Sequence, residues 1–168
     1  MHTKPYIPEE TENGLLGMDL LRLGLERGKT AYEALHVITD LLEKYGQGGN
    51  AAVGMEHRYH NSFLIADPNE AWILDTCKRR WVARRVTDVA GISNCYSTEE
   101  EWDEDSGDIR EYAYEKGWIS PEVPFNFAKA YSAMSLKHRA AYPRYRRLNK
   151  LLKAEKGEIT IETIRRIQ

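Results

Sequence analysis

Two cysteines, a glycine-rich loop, a Glu-His-x-x-His stretch and one strongly basic segment are where this 168-residue chain could do chemistry. A thiol attacks carbonyls when a neighbouring group lowers its pKa or when a base stands beside it. On the first residue of a chain, the α-amine can be that base. Cys77 and Cys95 are internal and have no such amine, so both read as small residues packed near strand ends. The chain opens Met1-His2-Thr3; the bulk of His2 disfavours removal of Met1, and Thr3 could act only after two residues were clipped. No nucleophile is therefore expected in the chain as written. Gly46-Gln47-Gly48-Gly49-Asn50 lacks the Gly-Lys-Ser/Thr ending of a phosphate loop and reads as a helix cap and turn. Glu56, His57 and His60 sketch a metal site, but no second ligand pair follows at zinc spacing. Three polar residues entering a strand is the plainer reading, and no metal or cofactor is expected.

Between Lys137 and Lys156, eight Lys or Arg stand against one acid, with Tyr142 and Tyr145 interleaved. Such a segment could bind phosphates on nucleic acid or lipid. Residues 99–108, however, hold seven acids, and a solvated helix face compensating them is preferred. The net charge of -2 gives no global reason for a polyanionic partner, and no nucleic acid is expected.

These residues need a scaffold, and the composition, 42% hydrophobic and 30% charged, is that of an ordinary globular domain. No apolar run approaches the ~18 residues of a membrane span. Two cysteines without a CxxC pairing, and no signal-peptide core, favour a reducing, cytoplasmic setting. Residues 1–13 read as a disordered lead-in and 14–168 as one partial domain.

Leu15 to Arg27 is apolar nearly all round, predicting a helix buried on most sides, with Gly17 and Gly24 on one face for close approach. Thr30 and Glu33 form a capping-box pair opening a helix whose buried stripe would be Ala31, Ala34, Leu35, Ile38, Leu41, Leu42 and Tyr45, closed by Gly46. His60–Ala66, Ala71–Cys77 and Arg80–Val86 alternate as strands joined by turn-sized gaps, an antiparallel meander. Phe63, Ile65, Trp72, Leu74, Trp81 and Ala83 form its inner face, with Leu64 and Ile73 opposite. Ala90–Cys95 is a candidate fourth strand. The acidic stretch is expected as a solvated loop or helix start. Short helices are predicted over Asp108–Lys116 and Phe125–Met134, a basic one over Tyr145–Lys156, and a last one capped by Thr160.

Four stretches together resemble the secernins: Gly14–Leu35 (GLLGMDLLRLGLERGKTAYEAL), Glu43–Asn50 (EKYGQGGN), Tyr59–Thr76 (YHNSFLIADPNEAWILDT) and Ile92–Asn94 (ISN). Weaker similarity continues through Tyr112–Trp118, Phe125–Ser132 and Gly157–Ile164. Secernins are dipeptidase-related cysteine N-terminal-nucleophile hydrolases, similar to bacterial dipeptidases and more distantly to penicillin V acylase. The resemblance implies an α+β fold, an incomplete αββα sandwich with the helix hairpin packed on an antiparallel sheet. It implies cysteine-type hydrolysis of short peptides or dipeptides, with the nucleophile segment missing from this chain, which would then be inactive alone. It also leaves open a non-catalytic role as an interaction module linked to exocytosis. Of the site, only Asn94 carries over, as an oxyanion-hole amide; without the resemblance it would read as a turn asparagine. Cys95-Tyr96 follows where secernins usually have Gln-Leu. Half a sandwich should also leave open sheet edges through which the chain self-associates.

Overall fold

The computed structural model describes residues 14–55, 58–133 and 141–167. The expected lead-in, Glu56, His57, Met134 and the first residues of the basic segment lie outside that range. Helix α1 (Gly17–Arg27) and helix α2 (Ala31–Tyr45) form the hairpin. Thr30 Oγ1 accepts the Glu33 amide at 3.1 Å, while Glu33 Oε2 takes the Lys29 amide at 2.8 Å, one residue earlier than in a reciprocal capping box. Gly46 ends α2 at φ 72°, a left-handed geometry that glycine adopts without a Cβ clash. Because the helix stops there, Tyr45 turns out to solvent and Leu41 is only partly covered. Ala31, Ala34, Leu35, Ile38 and Leu42 carry the buried stripe.

Helix α1 departs from expectation. Gly17, Leu20 and Gly24 are buried, but Met18, Leu21 and Leu25 are exposed. The glycine face meets α2 and Asn61, and the opposite face has no covering element among the described residues. Gly24 does admit a close neighbour, since a Cβ there would lie 3.0 Å from the Ile38 side chain.

Strands β1 (Ser62–Ala66), β2 (Ala71–Cys77), β3 (Arg80–Arg85) and β4 (Glu104–Asp105) form one antiparallel sheet in sequence order. Its register pairs Phe63 with Leu74 and Leu74 with Ala83, so the alternating residues fall on one face. The turn after β1 is organised by Asp67. Its Oδ1 accepts the amides of Asn69 and Glu70 at 2.7 and 3.0 Å, and Oδ2 accepts the Ala31 amide at 2.7 Å, pinning the sheet to the start of α2. These bonds hold the Asp67 carboxyl below its ordinary pKa.

The fourth strand is not Ala90–Cys95, which makes only an isolated bridge between Ser93 and Cys95; it comes from the acidic run. The acids are usable there because their carboxylates satisfy nearby donors. Asp103 accepts the Arg85 amide at 2.7 Å, and Asp105 accepts the Trp102 indole at 2.8 Å. The 90–95 segment is held instead by a side chain, Asn149, which both accepts the Gly91 amide and donates to its carbonyl at 3.0 Å.

Both faces of the sheet are covered. The hairpin packs Leu20, Leu35, Ile38 and Leu42 on Phe63, Ile65, Trp72, Leu74 and Trp81. Across the sheet, Cys77 and Val82 lie under Tyr96, Phe125, Phe127 and Tyr131, with α3 (Ile109–Glu115) and α4 (Phe127–Tyr131). Burying each large side chain is worth about 1.5–3 kcal/mol. The fold is thus α+β with an open sheet. The cover on the second face is helical and aromatic; the second stacked sheet implied by the resemblance is not among the described residues. Strand β1 is a sheet edge, and its Leu64 is 45% exposed. Helices α5 (Ala141–Ala154) and α6 (Ile161–Ile167) complete the chain, and among the described residues no helix is long and apolar enough to cross a membrane.

Candidate active-site cleft

Asn94 stands at the tip of a tight turn, closed by the Cys95 amide donating to the Ser93 carbonyl at 2.8 Å. Cys95 and Tyr96 behind it are fully buried, and the Tyr96 hydroxyl donates to the Thr76 carbonyl at 2.6 Å. The turn is therefore anchored from beneath while the asparagine amide stays exposed.

The amide lines a cleft of about 320 Å³ with Tyr59, His60, Asn61, Ser62, Ile92 and Ser93. One wall is the entry to β1 and the other is the 92–94 segment. Arg144, from α5, donates to Asn94 Oδ1 at 3.4 Å, a long bond that sets a cation beside the asparagine. With Oδ1 engaged, the Nδ2 hydrogens are the end of Asn94 left for a carbonyl oxygen.

Polar residues under the β1 wall are joined on the hairpin side of the sheet. Gln47, 2% exposed, donates to the Lys78 carbonyl at 3.0 Å, and its Oε1 accepts from Asn61 Nδ2 at 2.8 Å and Thr76 Oγ1 at 3.1 Å. The glycine-rich loop is thus a helix cap, as read, but also delivers a buried amide that holds Asn61. Close approach is required on the far side too. A Cβ on Gly17 would fall 2.0 Å from Asn61 Oδ1. His60 is nearly buried, and burial pushes its imidazole down to about 3, with the Lys78 cation acting in the same direction. The ring is neutral at physiological pH, a hydrogen-bonding wall rather than a charge.

Neither thiol lines the cleft; Cys77 and Cys95 are 1% and 0% exposed. Among the described residues no three His, Cys, Asp or Glu side chains gather as a metal site. The basic helix shares a second, open cleft with the acidic run. Arg84, Tyr145, Asn149 and Lys153 line it with Glu99, Glu100 and Glu101. The basic helix and the acidic run thus lie side by side there, and burial raises the Tyr145 phenol above its ordinary value.

The model of peptidase family C69 matches residues 1–162. The chain belongs to peptidase family C69. Peptide-bond hydrolysis is the chemistry of such a family. Residues that sequence reasoning passed over in this family member are Gln47, Asn61, Ser62, Asp75 and Arg144. Asp75 could have been found, since an acid inside the apolar strand AWILDTC is costly to bury without a purpose. Arg144 could not, because its place beside Asn94 depends on how α5 docks fifty residues later.

Proposed function

We propose that this family C69 protein is secernin-like and provides the scaffold and oxyanion side of a cysteine-type dipeptidase. The observation that carries this reading is the presentation of Asn94, an exposed amide on a buried, anchored turn, with Arg144 beside its oxygen. Attack of a thiolate on a peptide carbonyl moves the carbonyl π electrons to oxygen, and the developing oxyanion needs preorganised donors. Asn94 Nδ2 is such a donor. Arg144 holds the amide in that orientation and adds positive charge near the developing negative charge. Collapse of the tetrahedral species expels the amine, and water then releases the acyl group from sulfur.

Cys77 and Cys95 are not the nucleophile, because both are internal and sealed from the cleft. The thiol and its base come from outside the described residues. The short cleft, walled by His60 and Ser62, suits the end of a small peptide rather than a long chain.

The test is binding before turnover. Alanyl-alanine added to isotopically labelled chain should shift the Asn94 side-chain amide and the 59–62 backbone signals, without hydrolysis by the 168-residue chain alone. Hydrolysis abolished by alkylating Cys77 or Cys95, or shifts confined to other surfaces, would remove this reading.

A further inference from the structure

We infer that Asp75 is the positioning residue that fixes the two walls of the cleft relative to each other, a role that rests on the reading of Asn94 above. Asp75 is completely buried in β2, on the face turned away from the helix hairpin, between Ser62 of β1 and Val82 of β3. A carboxylate in such a place is expensive unless its lone pairs are filled by donors. Its Oδ1 accepts the Ser62 hydroxyl across the strand pair. Its Oδ2 accepts the backbone amides of Ser97 and Thr98 at 3.0 and 2.9 Å and lies 3.5 Å from the Ser97 hydroxyl.

The donors come from different walls. Ser62 lines the cleft at the β1 side, and Ser97 and Thr98 immediately follow the turn that carries Asn94. The 90–95 segment is not in the sheet, so no ladder of backbone bonds sets its distance from β1. Among the bonds that hold it are those of Asn149 at Gly91, Arg144 at Asn94, the Tyr96 hydroxyl on Thr76, and Asp75 at the amides that follow. Asp75 joins the two walls through one rigid planar group, Oδ1 to Ser62 and Oδ2 to the Ser97 and Thr98 amides. An apolar residue would fill the same volume and satisfy packing, but would leave two buried amides without acceptors and the walls uncoupled.

The experiment uses the full chain with Asp75→Leu, a change of similar volume that removes both acceptors. Expected results are loss of hydrogen-exchange protection at Ser97 and Thr98 by about tenfold to a hundredfold, displaced Asn94 side-chain amide signals, and weaker alanyl-alanine binding. Amides of α2 should keep their protection, which a general loosening of the fold would not allow. Asp75→Leu with Asn94 signals and dipeptide affinity like the parent overturns the inference. If that variant does not fold, Ser62→Ala decides. It severs only the β1 tie, so affinity should fall several-fold with Ser97 and Thr98 still protected, and parental affinity overturns the inference. A parent chain that binds no dipeptide defeats the functional reading alone. In that case the Asn94 and Ser97–Thr98 signals still test the coupling.

Discussion

Acidification from pH 7 to 5 should weaken this fold through a single imidazole. His60 is held neutral in the native state, its pKa lowered from 6.5 to about 3, chiefly because burial penalises the cation. In the unfolded chain the ring regains its ordinary value, so below about pH 6.5 the unfolded state binds a proton that the native state refuses. Stability from this residue is therefore whole above that value and falls as pH drops toward about 3. Each pH unit inside the window costs about 1.4 kcal/mol, which makes the loss at pH 5 about 2 kcal/mol. The other titratable groups, His36 near Glu104 at 3.5 Å among them, are common to parent and variant. Urea unfolding followed by tryptophan fluorescence at several pH values should give this slope for the parent. His60→Gln should remove most of it, whatever the variant's stability at pH 7. Equal slopes for the two proteins would refute the reasoning.

Gly17→Ala should destabilise the fold by about 2 kcal/mol, read from the urea midpoint, although alanine is the better helix former by about 1 kcal/mol. The new methyl meets Asn61, which cannot swing aside without leaving Gln47. Gln47→Met keeps the volume but strands the Asn61 amide and the Lys78 carbonyl, and should cost about 2–4 kcal/mol in the same assay. Both thiols should stay silent to a thiol-specific chromophoric reagent in the native protein and react when urea is added; fast labelling of either without urea would contradict their burial.

The hairpin and meander were legible because their signals are local. Thr30 accepts its amide, Gly46 takes a positive φ, and the Phe63-to-Ala83 alternation falls on one face. Where reading failed, long-range contacts decided. The 90–95 run has apolar residues enough for a strand, yet the edge of β3 is taken by Glu104 and Asp105, whose neighbours satisfy its open donors. Helix α1 is apolar nearly all round, but burial depends on what lies opposite, and no periodicity encodes that. Of the cleft's residues, Asn94 is the one that the family resemblance singles out. Its partner Arg144 and the supports Asn61 and Gln47 were not, since their roles exist only once separate elements have met.

Strand β2 shows why the cleft sits where it does. From Trp72 to Cys77 every residue is buried, so polar side chains survive there only with full sets of partners. Two such residues are adjacent, Asp75 and Thr76, and the two-residue period of a strand sends them to opposite faces. Thr76 joins the Gln47–Asn61 cluster under the hairpin, and Asp75 joins Ser62 to the 97–98 amides on the other side. Each face of one dipeptide thus supports part of the same cleft. A slip of register by a single residue would place the carboxylate against Leu35 and Leu42 and the hydroxyl under Phe127, where neither finds its donors or acceptors. The pairing that stabilises the sheet and the pairing that shapes the site are therefore the same constraint, and a mutation that permits slippage would lose both together.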